Sequence, residues 1–152
     1  MAESRFTTSQ DGLRLHTLEY GDRHSPRLPV VCLPGLSRTA EDFTTLAMAL
    51  AADRRVLALD YRGRGRSDYD PNPENYAIDV EAADVMTVMA ALEAAPAIVV
   101  GTSRGGLIAM TMRWLPKKEW RRSSNRSGVS AVKGKFDRKR LTKGLQAESK
   151  YG

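Results

Sequence analysis

The 152-residue chain is long enough to form one domain with a substantial core, and its charged residues are unevenly divided along it. Residues 1–112 contain 11 arginines, no lysine and 15 acidic residues, for a net charge of −4, whereas residues 113–152 contain 13 basic and three acidic residues, for a net charge of +10. The overall charge of +6 therefore averages two compositions and does not by itself indicate a nucleic-acid-binding protein.

The sequence shows neither a membrane span nor a secretory signal. No run approaches the ~18 apolar residues of a spanning helix, and the first six residues lack the basic and apolar regions of a signal peptide. The single cysteine, Cys32, lies in an apolar run, so we expect a small buried core residue rather than a nucleophile. No disulfide is possible within the chain, which fits a cytoplasmic protein with no membrane partner.

The N-terminal residues predict a β-hairpin. Arg5–Thr8 and Leu13–Tyr20 have the composition of strands, and the Asp11-Gly12 pair between them is a turn signal. The alternation of apolar residues shifts phase between Leu15 and Leu18, which predicts a β-bulge.

Strand and helix patterns then alternate along the chain, which predicts an α/β fold with a largely parallel sheet. The helices show apolar residues spaced three and four apart, and the strands are short continuous apolar runs. The predicted strands are Pro29–Leu33, Arg55–Leu59 and Ala97–Val100, and the predicted helices are Thr39–Leu50, Tyr76–Ala94 and a segment directly after Ser103.

The third apolar run leads straight into Gly101-Thr-Ser-Arg-Gly105, a Gly-x-Ser-x-Gly sequence between a strand and a helix. This arrangement is typical of a nucleophile elbow. A tight strand-to-helix turn strains the serine backbone, and a Cβ two positions before or after it would collide with its neighbours. The alternative is a Gly/Ser turn without any chemistry.

Three loops follow the ends of the predicted parallel strands: Pro34–Ser37, Asp60–Ser67 and Gly101–Arg104. Reactive groups of open parallel sheets lie at the carboxyl ends of the strands. The three loops therefore converge on one edge of the sheet, which supports the elbow interpretation independently.

These loops, in this order and spacing, resemble the α/β-hydrolase family over about residues 5–112, the N-terminal half of a typical core. The resemblance implies an incomplete α/β-hydrolase core and hydrolysis of a small ester or related carbonyl substrate. It further implies that Ser103 is the nucleophile, that the backbone N–H groups of Leu36 and Arg104 form the oxyanion hole, and that Asp60 and its loop are mainly structural.

The glycine-rich loop after the second parallel strand does not match a cofactor-binding motif. Gly63–Asp68 lacks the third glycine of a dinucleotide-binding turn and the Gly-Lys-Ser/Thr of a phosphate loop, so we expect no cofactor and no metal. We interpret Arg62, Arg64 and Arg66 as solvated or paired with carboxylates rather than as an anion site.

The base of a catalytic triad is missing. The family order is serine, then acid, then histidine, but no histidine follows Ser103, and the later carboxylates are Glu119, Asp137 and Glu148. We expect His16 and His24 to be surface or edge histidines. The chain alone should therefore show little or no turnover, unless a second chain supplies the histidine.

Residues 113–152 show no strand pattern, and Asp137–Leu145 is their one candidate for a short basic helix. Low hydrophobicity and high charge predict disorder, or a segment that is not the hydrolase's own continuation, as after a frameshift, a gene-model error or a fusion. The alternative is a non-enzymatic binding protein whose tail contacts nucleic acid or acidic surfaces, with Trp114 and Trp120 interleaved among the basic residues. Without later strands, the last strand has an unpaired edge and could mediate self-association.

Overall fold

The computed structural model describes residues 1–114, which form five strands and three helices. The predictions for the basic tail, including Trp120 and the short helix at Asp137–Leu145, lie outside the described residues. The elements are β1 (Glu3–Thr8), β2 (Arg14–Tyr20), β3 (Val30–Leu33), α1 (Thr44–Leu50), β4 (Val56–Leu59), α2 (Ile78–Ala91), β5 (Ile98–Gly101) and α3 (Arg104–Met112), with 3-10 turns at Ala40–Phe43 and Pro73–Tyr76.

The strands form one mixed sheet in the order β1-β2-β4-β3-β5. β1 pairs antiparallel with β2, and β2 pairs antiparallel with β4, whereas β3 pairs parallel with both β4 and β5. The predicted α/β architecture, with an N-terminal hairpin followed by parallel strands, is therefore confirmed.

The predicted bulge in the hairpin is wrong. Glu3 lies opposite Glu19 and Thr8 opposite Arg14, and the pairing between these positions is regular. The phase shift in the sequence arises because β2 is an inner strand with buried residues on both faces. Consecutive side chains from Leu15 to Thr17 are all buried, so the strand does not follow a simple apolar and polar alternation.

Each face of the sheet has its own hydrophobic core. Alternate residues of β3 point to opposite faces, with Val31 in the core against α2 and α3 and Cys32 in the core against α1. Cys32 is fully buried, as expected for a small core residue, and burial raises its pKa to about 11. Helices on both faces hold the carboxyl ends of the parallel strands at a common edge.

Two of the three acidic residues of α2 are buried, and the third, Asp79, is exposed. Glu81 and Asp84 are 2% and 6% exposed, and each accepts hydrogen bonds from an arginine of a neighbouring loop or helix. The apolar spacing located the core-facing side of this helix correctly, but it could not show that two arginines cover the other side.

β5 forms one edge of the sheet in the described part of the chain. Its residue Ile98 is 41% exposed, and Val99 and Val100 are half-buried. None of the helices within residues 1–114 has the length and apolarity needed to cross a membrane.

Candidate active site

Ser103 lies at the tight turn between β5 and α3, as the sequence predicted. Its φ is 51° and its ψ is −114°, a left-handed conformation that costs a residue other than glycine about 1–3 kcal/mol. The Thr102 amide donates to the Leu33 carbonyl oxygen at 3.1 Å, which ties this turn to the end of β3. The packing around the turn therefore holds a serine in a conformation that it would not adopt alone.

Two glycines make this turn possible by close approach. A Cβ on Gly101 would lie 2.4 Å from the Gly105 carbonyl carbon, and a Cβ on Gly105 would lie 2.1 Å from the Leu33 carbonyl oxygen. Both distances are far below a van der Waals contact, so neither position accepts a side chain without movement of the backbone. The collision expected from the sequence pattern is confirmed at both positions.

The first turn of α3 presents backbone N–H groups beside Ser103. The amides of Gly105 and Gly106 donate to the carbonyl oxygens of Thr102 and Ser103, both at 2.9 Å. The Arg104 amide has no acceptor among the hydrogen bonds of residues 1–114. A free N–H at the positive end of a helix favours a negatively charged oxygen.

The loop after β3 adjoins the elbow and is held on several sides. A Cβ on Gly35 would lie 4.0 Å from the Ser103 Cβ, so the loop backbone is in the immediate vicinity of the serine. Tyr61 donates its hydroxyl to the Pro34 carbonyl oxygen at 2.9 Å, and Arg64 Nε donates to the Leu36 carbonyl oxygen at 2.7 Å. The Leu36 amide, like that of Arg104, has no acceptor within the described residues.

The Arg104 side chain is anchored to α2. Its Nε donates to Glu81 Oε2 at 2.6 Å, and its Nη2 donates to the Tyr76 carbonyl oxygen at 2.6 Å. Burial raises the pKa of Glu81, although Arg104 opposes this shift. Glu81 thus holds the residue that follows Ser103, a role that the sequence did not reveal because its partner lies 23 residues later.

Asp60 organises the loop after β4, as the resemblance implied. Its carboxylate accepts from the Ala40 amide at 2.7 Å, from the Arg66 amide at 3.1 Å and from His16 Nδ1 at 2.7 Å. A Cβ on Gly65 would lie 2.2 Å from Asp60 Oδ2, so this loop wraps closely around the carboxylate.

The expectation that His16 is a surface or edge histidine is wrong, because its residue is 2% exposed. It lies on the inner strand β2, and Asp60 and Ser4 contact its two ring nitrogens. β2 and β5 are three strand positions apart, which at about 4.8 Å per strand is about 14 Å. His16 therefore cannot serve Ser103 as a base. His24 is exposed in the loop between β2 and β3.

Arg62 is paired with carboxylates, which confirms one of the two interpretations that the sequence left open. It is 1% exposed and contacts Asp84 at 2.7 Å and 2.8 Å, Asp70 at 2.8 Å and Asp11 at 2.8 Å. These carboxylates raise its pKa further above its ordinary value, Asp84 foremost. Arg62 is a structural cation that joins the loop after β4 to α2 and to the hairpin turn.

In the described part of the chain, no group of three or more His, Cys, Asp or Glu side chains is placed to hold a metal ion. The candidate site consists of a strained serine, two backbone amides and the loops that fix them. This arrangement can place a hydroxyl nucleophile next to donors for a developing negative charge.

Comparisons with known proteins agree with this architecture. The family model for the α/β hydrolase fold matches residues 29–113. A 3-hydroxybutyrate-oligomer hydrolase of Cupriavidus necator is 41% identical over 104 residues, which are 68% of this chain and 35% of that protein. Epoxide hydrolase 4 of Mus musculus is 31% identical over 98 residues, which are 64% of this chain and 27% of that protein.

Solved structures give the same result. The crystal structure of an α/β hydrolase from Novosphingobium aromaticivorans superposes with a TM-score of 0.70 at 42% identity, covering 78% of this chain and 41% of that one. The chain thus spans well under half the length of these relatives. The matched residues include the three parallel strands β3, β4 and β5 and the loops that follow them, and the chain belongs to the α/β hydrolase fold family.

Proposed function

We propose that this chain carries the nucleophilic half of a serine hydrolase that acts on a small ester or a related carbonyl substrate. The observation that supports this proposal is the left-handed backbone of Ser103, which adjoins Arg104 and the loop that carries Gly35 and Leu36; the amides of Leu36 and Arg104 have no acceptor in the described residues. A strained nucleophile beside free donors is arranged for reaction with a carbonyl carbon rather than for packing.

The chemistry follows from these positions. Ser103 Oγ attacks the ester carbonyl carbon, and the Leu36 and Arg104 amides donate to the oxyanion that forms. The alcohol then leaves, and water cleaves the acyl-serine ester in a second step. The positive end of α3 adds to the stabilisation of the oxyanion.

The same residues do not provide a general base. A serine hydroxyl is a weak nucleophile unless a base accepts its proton, and His16 and His24 lie elsewhere in the described structure. We therefore propose that the acid and the histidine come from outside these 152 residues, and that this chain alone has little or no turnover.

An ester fits a serine nucleophile better than an epoxide does, although one of the relatives is named an epoxide hydrolase. Attack of a serine oxygen on an epoxide carbon would leave an ether, which has no carbonyl carbon for water to attack. Attack on an ester leaves an acyl-serine that water can cleave. The relative named for 3-hydroxybutyrate oligomers is consistent with this choice, because oligomers of a hydroxy acid are chains of esters.

Chemical rescue tests the proposal. We expect added imidazole, a diffusible substitute for the missing histidine, to produce hydrolysis of p-nitrophenyl butyrate above the reaction of imidazole alone. Ser103→Ala should abolish this excess, and Ser25→Ala, which alters a half-buried serine in the loop between β2 and β3, should retain it. An imidazole-dependent excess of more than one p-nitrophenol per chain that persists in Ser103→Ala would refute Ser103 as the nucleophile.

A further inference from the structure

A second serine, far from the elbow, is hydrogen-bonded to a buried histidine and aspartate. Ser4 Oγ lies 3.0 Å from His16 Nε2, and His16 Nδ1 lies 2.7 Å from Asp60 Oδ2. We propose that Ser4 is a nucleophilic site for small acyl donors, with His16 as its base and Asp60 as the group that orients the base. This site is independent of the function proposed for Ser103.

The hydrogen bonds fix the direction of proton transfer. An ionised carboxylate only accepts, so the contact with Asp60 places the histidine proton on Nδ1. The lone pair of Nε2 then faces Ser4, and the Ser4 hydroxyl donates to it. The backbone amides of Ala40 and Arg66 hold the Asp60 carboxylate in place. A nucleophile, a base and an orienting acid in this order form an activated serine.

Ser4, the proposed nucleophile, is open to solvent, whereas His16, its proposed base, is buried. Ser4 is exposed on β1, while His16 and Asp60 are 2% and 4% exposed. The Phe6 ring packs against the imidazole with a centroid distance of 5.1 Å, which fixes the plane of the ring. An electrophile can therefore approach Ser4 Oγ from solvent, and water has little access to the histidine behind it.

Arg66 supplies a positive charge at the same oxygen. Its Nη1 donates to Ser4 Oγ at 2.7 Å, and its guanidinium lies 5.7 Å from the Phe6 ring centroid. A cation at this place favours negative charge on the attacking oxygen and on the carbonyl oxygen of a bound acyl donor.

The expected reaction is a single acyl transfer. Ser4 Oγ forms a bond with the carbonyl carbon as His16 Nε2 takes the hydroxyl proton. The bond from the carbonyl carbon to the leaving oxygen then breaks, and His16 Nε2 returns the proton to that oxygen. The products are acyl-Ser4 and the free alcohol or phenol. β1 and β5 are the opposite edges of the sheet, about 19 Å apart at four strand spacings, so Ser103 takes no part.

Acetylation by p-nitrophenyl acetate, mapped by peptide mass spectrometry in the 152-residue chain carrying Ser103→Ala, tests this proposal. Thr8, an exposed hydroxyl residue on the same strand, is the internal comparison. We expect Ser4 to be acetylated about 100-fold faster than Thr8, a typical general-base effect. Equal rates at the two residues would overturn the proposal and leave the three side chains as a structural clamp.

Two variants test the roles of the partners. Arg66→Gln, at an exposed position, should slow acetylation of Ser4 without changing that of Thr8. His16→Gln should reduce the Ser4 rate to the Thr8 rate, provided that its circular dichroism spectrum is native. If His16→Gln does not fold, the comparison of Ser4 with Thr8 in the folded Ser103→Ala chain still decides the proposal. An unchanged Ser4 rate in a folded His16→Gln variant would contradict it.

Discussion

At the scale of single residues, alanine substitutions at Gly105 and Gly106 test whether the close packing of the turn at Ser103 requires glycine. Gly106 serves as the control for Gly105. The two glycines are adjacent in the first turn of α3, but a Cβ on Gly105 would lie 2.1 Å from a backbone oxygen, whereas one on Gly106 would have its nearest neighbour at 3.6 Å. Glycine is therefore required at position 105 but not at position 106 of the same helix.

We expect Gly105→Ala to lower the free energy of unfolding by about 1–3 kcal/mol, because the new methyl group forces α3 away from β3. Gly106→Ala should raise it by about 0.5–1 kcal/mol, because alanine favours a helix and its methyl group makes only an ordinary van der Waals contact, at 3.6 Å from the Gly101 carbonyl oxygen. Urea unfolding measures both values. Equal losses in the two variants would show that the close approach to Leu33 is not what requires glycine.

Glu81 allows a prediction on pH. Burial raises its folded pKa above the ordinary value of 4.5, so between these two values the folded chain binds more protons than the unfolded chain. The contribution of Glu81 to the free energy of unfolding therefore falls as the pH rises above 4.5 through the folded pKa.

Glu81→Gln removes the titration and keeps an acceptor for Arg104. We expect the stability of the wild type relative to this variant to decrease from pH 4 to about pH 7, measured by urea unfolding at each pH. The relative stability should not increase over this interval. An increase would mean that Arg104 outweighs burial and that the folded pKa of Glu81 lies below its ordinary value.

At the scale of elements, Arg62 links the loop after β4 to α2 and to the hairpin turn. We expect Arg62→Gln to lower the free energy of unfolding by about 3–5 kcal/mol, since it leaves the buried Asp84 without its cation. Arg38→Gln is the control, because it breaks an ion pair with Asp42 at the surface and should leave the urea midpoint unchanged. Similar midpoints for both variants would refute the structural role of Arg62.

The sequence predicted the strands, the elbow and the edge where its loops meet, because these depend on local patterns of apolar residues and glycine. It did not predict the environment of His16, because burial of that ring depends on Asp60, 44 residues away. The partners of Glu81 and Arg62 were hidden for the same reason. Long-range pairs of charged side chains leave no periodic signal in a single sequence.

At the scale of the whole molecule, β5 leaves one edge of the described sheet without a neighbouring strand. An apolar edge strand can pair with another chain, and a charged residue on the edge opposes this pairing. We expect the chain to self-associate, and Ile98→Lys to reduce the association in sedimentation velocity experiments. Leu46→Lys, at a position of similar exposure on α1, should not reduce it. Equal effects of both variants would indicate that added charge, not the strand edge, controls association.

The central claim is that Ser103 is a nucleophile whose base lies outside these 152 residues. Its most direct test is the reaction of the purified chain with a fluorophosphonate at increasing imidazole concentrations, with the modified residue located by peptide mass spectrometry. We expect a phosphonyl group on Ser103 whose rate of formation rises with imidazole and which is slow without it. An unmodified Ser103 at every imidazole concentration, or a rapid reaction that does not depend on imidazole, would contradict the claim.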